Sequence, residues 1–211
     1  MRVTVLGLAL MTSSFGCLAQ QWEFGGGAGY GWPLNASLTG LASPGHAGFA
    51  PHAAFTVVFD ENMYNYIGGE AQYTFRSGGT QLRSDGITET APGYSNILVY
   101  NLMFHVRPRE SKFRPFAAVG GGIRIYTNSG SVVPQPLAGF ALLTRGTQVE
   151  PAVSFDGGMK YTMPRHHVQL RVDLRVYTSP TPGDLIRPFV GSGIKGWTFD
   201  LMPMAEIAYV F

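Results

Sequence analysis

The chain has 211 residues, a formal net charge of +2, and only 13 % charged residues, about half the share in an average soluble domain. The positive charges are few and form no basic run, which argues against nucleic acid as a partner. Hydrophobic residues reach an ordinary 45 %, and after the amino terminus no apolar run approaches the roughly 18 residues that a membrane helix needs. Abundant Gly (28) together with 14 Phe, 10 Tyr and 3 Trp favours many short strands over helices.

The amino terminus reads as a secretory signal peptide. Arg2 precedes an apolar stretch over residues 3–11, and small and polar residues follow as far as Ala19. This pattern predicts a signal peptide over residues 1–19, with cleavage after Ala19, and a single domain over residues 20–211. That domain contains no cysteine, as expected of an exported protein without a disulfide framework. Cys17 also has an alternative interpretation as a lipidated cysteine, because Gly16 precedes it.

Eight segments of about ten residues alternate between apolar and polar side chains, which is the period of a β-strand. In the clearest of them Val168, Leu170 and Val172 alternate with Gln169 and Arg171. The predicted strands cover residues 22–31, 47–59, 66–76, 96–107, 114–126, 150–161, 167–177 and 197–211. The links after the second, fourth and sixth segments are short and the others are long. An antiparallel barrel with short periplasmic turns and long extracellular loops has this plan.

Charge distinguishes the two faces of the predicted strands. The apolar faces carry no charged residue, whereas the opposite faces carry seven acidic and seven basic residues. The acidic set is Glu23, Glu70, Glu150, Asp156, Asp173, Asp200 and Glu206, and the basic set is Arg76, Arg107, Arg114, Arg124, Lys160, Arg171 and Arg175. A balanced set suits a narrow interior, because a buried charge without a partner is unfavourable. An Arg or Lys facing lipid near the midplane would cost about 2–4 kcal/mol, so the apolar faces are predicted to face outward.

The interior charges predict a plug in the barrel lumen. We expect a lumen network of Glu70, Arg124, Arg171, Asp173 and Arg175. Gln169, Tyr126 and Tyr177 are further side chains that would fill the lumen. An eight-stranded barrel is only wide enough for its own side chains to fill. The alternative interpretation of the same residues is the selectivity lining of a pore.

Two features predict local departures from regular strands and loops. Pro203 removes a hydrogen bond within the last segment, so a bulge or an extended strand top is expected near it. Residues 137–143 form an apolar run in a long loop. This run is expected to be a short helix that caps the barrel mouth, or alternatively an exposed binding patch.

No residue constellation predicts catalysis, a cofactor or a metal. The run from Gly25 to Gly29 lacks the dinucleotide-binding spacing, and the five histidines show no metal-ligand spacing on one strand face. Ser154, Asp156 and His52 could be imagined as a hydrolase triad, but no oxyanion donor is visible. The chain is therefore predicted to be non-enzymatic.

The chain ends on an alternating segment whose apolar face includes Ile207, Tyr209 and Phe211. This terminus resembles the carboxy-terminal signal of bacterial outer-membrane barrel proteins. Residues 20–211 as a whole resemble the small outer-membrane β-barrel family that includes the barrel domain of outer membrane protein A. The resemblance implies an all-β fold, an eight-stranded antiparallel up-and-down transmembrane barrel in the bacterial outer membrane. It also implies that Ile207, Tyr209 and Phe211 form the assembly signal for the barrel-assembly machinery.

The resulting hypothesis is an outer-membrane barrel in contact with membrane lipid, with a structural or surface-interaction role and an extracellular ligand bound through its long loops. A narrow channel for small solutes is the alternative. A lipid-modifying membrane enzyme and a soluble lipocalin-like periplasmic barrel are weaker alternatives.

Overall fold

The computed structural model describes residues 21–34, 36–39, 45–84, 86–130, 141–163, 167–188, 193–194 and 196–211. The predicted signal peptide over residues 1–19, including Cys17, lies outside these residues. No helix in the described part of the chain is long and apolar enough to cross a membrane.

Fifteen strands account for the regular structure of the described residues. In chain order they are β1 (Gln21–Leu34), β2 (Ala36–Thr39), β3 (Gly45–Phe49), β4 (His52–Asn62), β5 (Ile67–Ser77), β6 (Thr80–Ser84), β7 (Ile87–Thr90), β8 (Gly93–His105), β9 (Phe113–Asn128), β10 (Ala141–Leu143), β11 (Gly146–Thr162), β12 (Val168–Pro180), β13 (Ile186–Pro188), β14 (Gly193–Ile194) and β15 (Trp197–Val210).

Eight of these strands form a closed antiparallel barrel, in the order β1, β15, β12, β11, β9, β8, β5, β4. Each predicted segment contributes one barrel strand. The first and last strands close the ring, with Phe24 opposite Tyr209 and Gly25 opposite Ala208. The prediction of an all-β, eight-stranded antiparallel barrel is therefore confirmed.

The strand period places apolar side chains on the outside of the barrel and charged ones inside. On β12, Leu170, Val172 and Leu174 are exposed, whereas Arg171 and Asp173 between them are buried. The other barrel strands follow the same alternation, because successive side chains of a strand point to opposite faces. The barrel is thus inverted relative to a soluble barrel, whose apolar face points inward.

The segment predicted over residues 47–59 is two strands. β3 ends at Phe49 and β4 begins at His52, with Pro51 between them. Proline has no backbone N–H and interrupts a strand ladder, so the chain passes here from one sheet to another. As a result Phe49 is 2 % exposed and points into the protein, whereas the alternation of one unbroken segment over residues 47–59 predicts that it lies on the apolar outer face with Phe55.

The bulge expected near Pro203 does not form. On the β12 side the pairing of β15 is continuous, with Leu174 opposite Pro203. On the β1 side the pairing is interrupted between Gly29, opposite Met204, and Trp32, opposite Leu201, and it resumes in the same register. The missing donor is therefore accommodated by a local loss of pairing, without an inserted residue.

The two rims of the barrel differ. We call the end carrying the β4–β5, β8–β9 and β11–β12 connections the turn rim, and the opposite end the loop rim. The connections at the loop rim contain the seven remaining strands. Five of them form a sheet in the order β14, β2, β3, β6, β7, and β10 pairs with β13.

The loop-rim strands enclose a small hydrophobic core of their own, formed by Ala47, Leu82, Ala141, Leu143 and Ile186. Residues 141–143 of the predicted apolar run thus form strand β10 and not a helix, and Ala141 and Leu143 are buried. Residues 137–140 of that run lie outside the described part of the chain. The run forms a strand here because Ala141 and Leu143 are buried against Ala47 and Leu82 of the five-stranded sheet, so that neither side chain is exposed to solvent.

Candidate functional site

The barrel interior is the most densely charged region of the described structure. Buried acidic residues there are Glu23, Asp60, Glu70, Asp156, Asp173, Asp200 and Glu206, and buried basic residues are Arg76, Arg114, Arg124, Lys160, Arg171 and Arg175. The predicted balance of seven against seven is therefore wrong by one cation. Asp60 joins the interior because β4 continues to Asn62, whereas Arg107 lies exposed beyond the end of β8 and Glu150 is only half-buried.

Four of the five residues predicted to form the lumen network lie together. Arg171 forms an ion pair with Glu70, and its Nε lies 2.6 Å from Asp173 Oδ2. Arg175 Nη2 lies 3.1 Å from the same oxygen of Asp173 and also pairs with Glu206. Alternating charges on neighbouring side chains thus satisfy one another, as buried ions require.

A second group of charges extends this network toward the turn rim. Lys160 Nζ lies 2.6 Å from Glu23 Oε2 and also pairs with Asp60. The amide of Asn62 donates to Glu23 at 2.8 Å. Arg171 Nη1, 3.7 Å from Asp60 Oδ2, connects this group to the central one.

Arg124, the fifth predicted network residue, lies in a separate group near the loop rim. It pairs with Asp200, and its Nη2 donates to Ser95 Oγ at 3.2 Å. Arg76 Nε lies 3.4 Å from the same carboxylate and its Nη2 donates to the Ala50 carbonyl at 2.5 Å. Asp200 therefore holds two guanidinium groups just below the loop rim.

Neutral side chains fill the level between the charged groups. The Tyr177 hydroxyl donates to Gln72 Oε1 at 2.5 Å and lies 3.0 Å from Thr74 Oγ1. Thr74 in turn lies 3.2 Å from Thr56 Oγ1, which accepts from Arg175 Nη1 at 2.8 Å. These hydrogen bonds link β4, β5 and β12, and their side chains fill the lumen at this level.

An aromatic cap covers the loop-rim end of the lumen. Phe49 stacks on Tyr126 with ring centroids 4.7 Å apart and planes at 9°, and Leu185 packs with them. The guanidinium carbons of Arg124 and Arg76 lie 5.5 and 5.7 Å from the Phe49 ring centroid. The cap thus rests directly on the pair of arginines held by Asp200, a cation–π arrangement.

Of the residues considered for a hydrolase, Ser154 and Asp156 share the partner Asn101 inside the barrel, whereas His52 lies outside it. Ser154 is buried and its hydroxyl donates to Asn101 Oδ1 at 2.5 Å. Asp156 accepts from the amide of the same Asn101 at 2.9 Å. His52 is exposed at the start of β4. Among the described residues, no group of three or more His, Cys, Asp or Glu could hold a metal ion.

The predicted assembly residues lie on the outer face of the closing strand. Ile207, Tyr209 and Phe211 are all exposed. The ring centroids of Tyr209 and Phe211 are 4.9 Å apart, and the Phe211 amide donates to the Trp22 carbonyl at 2.9 Å. The terminal residue therefore lies at the turn rim, next to the start of β1.

Sequence reasoning missed Asp60 and the cap residue Phe49. Asp60 continues the alternation of Thr56 and Val58, so extending the predicted strand by one residue would have placed it inside. Pro51 was the sequence signal for the buried position of Phe49. Proline interrupts the strand there, and because the chain then changes sheet, Phe49 no longer follows the alternation of β4.

The overall fold matches that of solved outer-membrane barrels. Neisserial surface protein A aligns with a TM-score of 0.54 at 7 % identity, over 91 % of this chain and 99 % of that one. The outer membrane protein OprG from Pseudomonas aeruginosa aligns with a TM-score of 0.56 at 12 % identity, over 92 % of this chain and 96 % of that one. No protein-family model and no curated protein sequence matches the chain. The chain therefore has the fold of eight-stranded outer-membrane β-barrels.

Proposed function

We propose that this chain, which has the outer-membrane barrel fold, is an integral protein of the bacterial outer membrane with a plugged, non-catalytic barrel and a surface-interaction role. The observation that carries this proposal is that the barrel wall is apolar on its outer face and charged on its inner face. Large apolar side chains such as Phe55, Leu98, Ile123, Phe155 and Leu174 are exposed all around the barrel. Monomeric soluble proteins rarely expose apolar patches beyond a few hundred Å², whereas a lipid-facing wall consists of such residues.

A charge placed on the outer wall tests the contact with lipid. Leu174 lies in the middle of β12, opposite Gly157 and Pro203. We expect Leu174→Arg to lower the unfolding free energy in lipid vesicles by about 2–4 kcal/mol, because the charge would lie near the bilayer midplane. Val106→Arg is the matched control, since Val106 is exposed just beyond β8 at the turn rim and should cost only about 0–1 kcal/mol. Equal effects in a urea titration would argue against a membrane-embedded wall.

The filled lumen supports a barrel without a conducting pore. Ion pairs, the Tyr177 hydrogen bonds and the Phe49 cap occupy successive levels from the turn rim to the loop rim. We expect the purified protein to give no steady single-channel openings in planar bilayers. Steady openings would support the alternative, a narrow channel for small solutes lined by the same charges.

The absence of catalysis is part of the proposal. It is supported by the commitment of the Ser154 hydroxyl to Asn101 in the buried interior and by the exposed position of His52. Release of fatty acid from outer-membrane lipid by the purified protein, abolished by Ser154→Ala, would overturn it.

The loop-rim sheet is the part of the molecule suited to a surface interaction. It has its own hydrophobic core, which includes Ala47 and Leu82, and β7 forms one of its edges with Ile87 and Thr88 exposed. In an outer-membrane barrel this end faces the outside of the cell, so an extracellular ligand would meet this sheet first.

We also propose that the barrel-assembly machinery recognises the closing strand through Ile207, Tyr209 and Phe211. Phe211→Ala is expected to lower the amount of folded protein in the outer membrane severalfold. Phe113→Ala removes another exposed aromatic ring near the turn rim, outside the closing strand, and should leave that amount unchanged. Immunoblots of membrane fractions measure both. Similar losses for the two variants would indicate a general effect of rim aromatics and contradict a specific signal.

A further inference from the structure

A polar cavity of about 320 Å³ opens at the turn rim, at the opposite end of the barrel from the cap. Its lining includes Gln21, Arg109, Lys112, Arg114, Thr162 and Gln169. These residues come from the ends of β1, β9, β11 and β12 and from the β8–β9 connection. The cavity is thus built by several elements that the closed barrel holds in place.

The lining of this turn-rim cavity is positively charged. Arg109, Lys112 and Arg114 line it together with one acidic residue, Glu110. Glu23 does not line the cavity; it lies 4.0 Å from Arg114 Nη1, and its charge is offset by Lys160, whose Nζ is 2.6 Å from Glu23 Oε2. Lys112 makes no ion pair with any residue that the structure describes. A cavity that concentrates cations attracts anions, and the surrounding protein strengthens the attraction relative to bulk water.

Two deeply buried side chains in the lining have unsatisfied polar atoms. Arg114 is 1 % exposed and its Nε has no hydrogen-bond partner, although Nη1 donates to Asn62 Oδ1 at 3.0 Å. Gln169 is 2 % exposed and its Oε1 has no donor. Its amide nitrogen donates to Glu23 at 3.3 Å and to Thr162 at 3.1 Å, which fixes the orientation of the amide. Buried polar atoms usually have partners. Other buried atoms of the described lumen also lack one, but only Arg114 and Gln169 among those residues line this cavity, where a bound ligand could supply the partner.

We propose that the turn-rim cavity binds a phosphate group, with Lys112 and Arg114 as its cationic partners and Gln169 as an acceptor. A phosphate oxygen accepts hydrogen bonds from guanidinium and ammonium groups. A protonated phosphate also carries an O–H, which can donate to Gln169 Oε1. Sulfate has the same shape but no proton at neutral pH, and a phospholipid diester has none either. The acceptor therefore favours inorganic phosphate, because a phosphate monoester, with a second pKa of about 6, is mainly a dianion without an O–H at neutral pH.

Calorimetric titration of the full-length folded protein in an uncharged detergent tests this proposal. Inorganic phosphate should bind saturably at pH 7 and low ionic strength, and sulfate should bind more weakly. Lys112→Gln should weaken phosphate binding about tenfold, the effect of losing one charge-assisted hydrogen bond. Arg107→Gln is the matched control, because Arg107 is an exposed cation of the same β8–β9 connection but does not line the cavity. It should bind phosphate like the wild type.

The outcomes separate the sources of the phosphate group. Saturable phosphate binding that depends on Lys112 supports the proposal. No saturable binding, or equal weakening by Lys112→Gln and Arg107→Gln, overturns it. Equal affinity for sulfate overturns the role of Gln169.

A second experiment uses bilayer nanodiscs of phosphatidylglycerol or phosphatidylcholine. Lys112-dependent retention of phosphatidylglycerol without binding of free phosphate would assign the cavity to a lipid headgroup and overturn the proposed ligand. Binding in detergent requires neither a plugged lumen nor a surface role, so its failure would leave the proposed function standing.

Discussion

Replacing Arg171 with methionine is expected to lower the free energy of unfolding by about 3–5 kcal/mol, as expected when one partner of a buried ion pair is removed. Arg171 lies within 4.0 Å of the carboxylates of Glu70, Asp173, Asp60 and Glu206. Methionine retains much of the volume but none of the charge. Four carboxylates would then share fewer cations in a buried space. Chemical denaturation of the refolded protein in detergent or lipid measures the loss.

Two further variants identify the cause of that loss. Arg187→Met removes a cation whose pair with Asp184 is exposed and 3.9 Å long, so a loss of at most about 1 kcal/mol is expected. Adding Glu70→Gln to Arg171→Met removes one of the stranded charges and should recover part of the stability. If the double variant is less stable than Arg171→Met alone, the loss reflects packing and not unpaired charge.

Phe49→Ala is expected to have the second large effect, lowering the unfolding free energy by about 3–5 kcal/mol, which is typical of a buried Phe truncated to Ala. The substitution removes the stacking on Tyr126 and the contacts with Arg76 and Arg124. Phe55→Ala is the matched control, because Phe55 is exposed on the outer face of β4. It should change the unfolding free energy much less.

The cap also predicts a change in access to the lumen. When Phe49 is truncated to Ala, water and small reagents should reach the arginines near the loop rim. A cysteine introduced by Ser179→Cys should therefore react faster with a thiol reagent in the Phe49→Ala protein than in the protein that retains Phe49. Ser179 is fully buried and lies 2.5 Å from the hydroxyl of Tyr126, the ring on which Phe49 stacks. Unchanged reactivity would show that Phe49 does not cover the lumen.

The sequence predicted the barrel well because one short-range rule determines it. The alternation on β12 and β15 assigns each side chain to one of two faces, and the faces of Arg171, Glu206 and Tyr209 followed from it directly. The strand count followed from the number of alternating segments. These features require no knowledge of which strands lie opposite one another across the lumen.

The grouping of the interior charges required more than alternation. Alternation places Arg124 inside but does not give its height along the barrel, which depends on the stagger between strands. Register pairs Arg124 with Ile97 and Glu150 and brings it to the level of Asp200, away from Arg171. The short strands at the loop rim were missed for a related reason, because strands as short as β10 and β13 form only through long-range pairing.

Cell fractionation followed by gel mobility with and without boiling is the most direct test of a lipid-facing, closed barrel. We predict that the protein is recovered in the outer-membrane fraction. Unboiled protein should migrate differently from boiled protein, because the closed barrel of eight strands remains folded in detergent. A protein that stays in the soluble periplasmic fraction, or that migrates identically with and without boiling, would contradict the membrane barrel and favour a soluble lipocalin-like one.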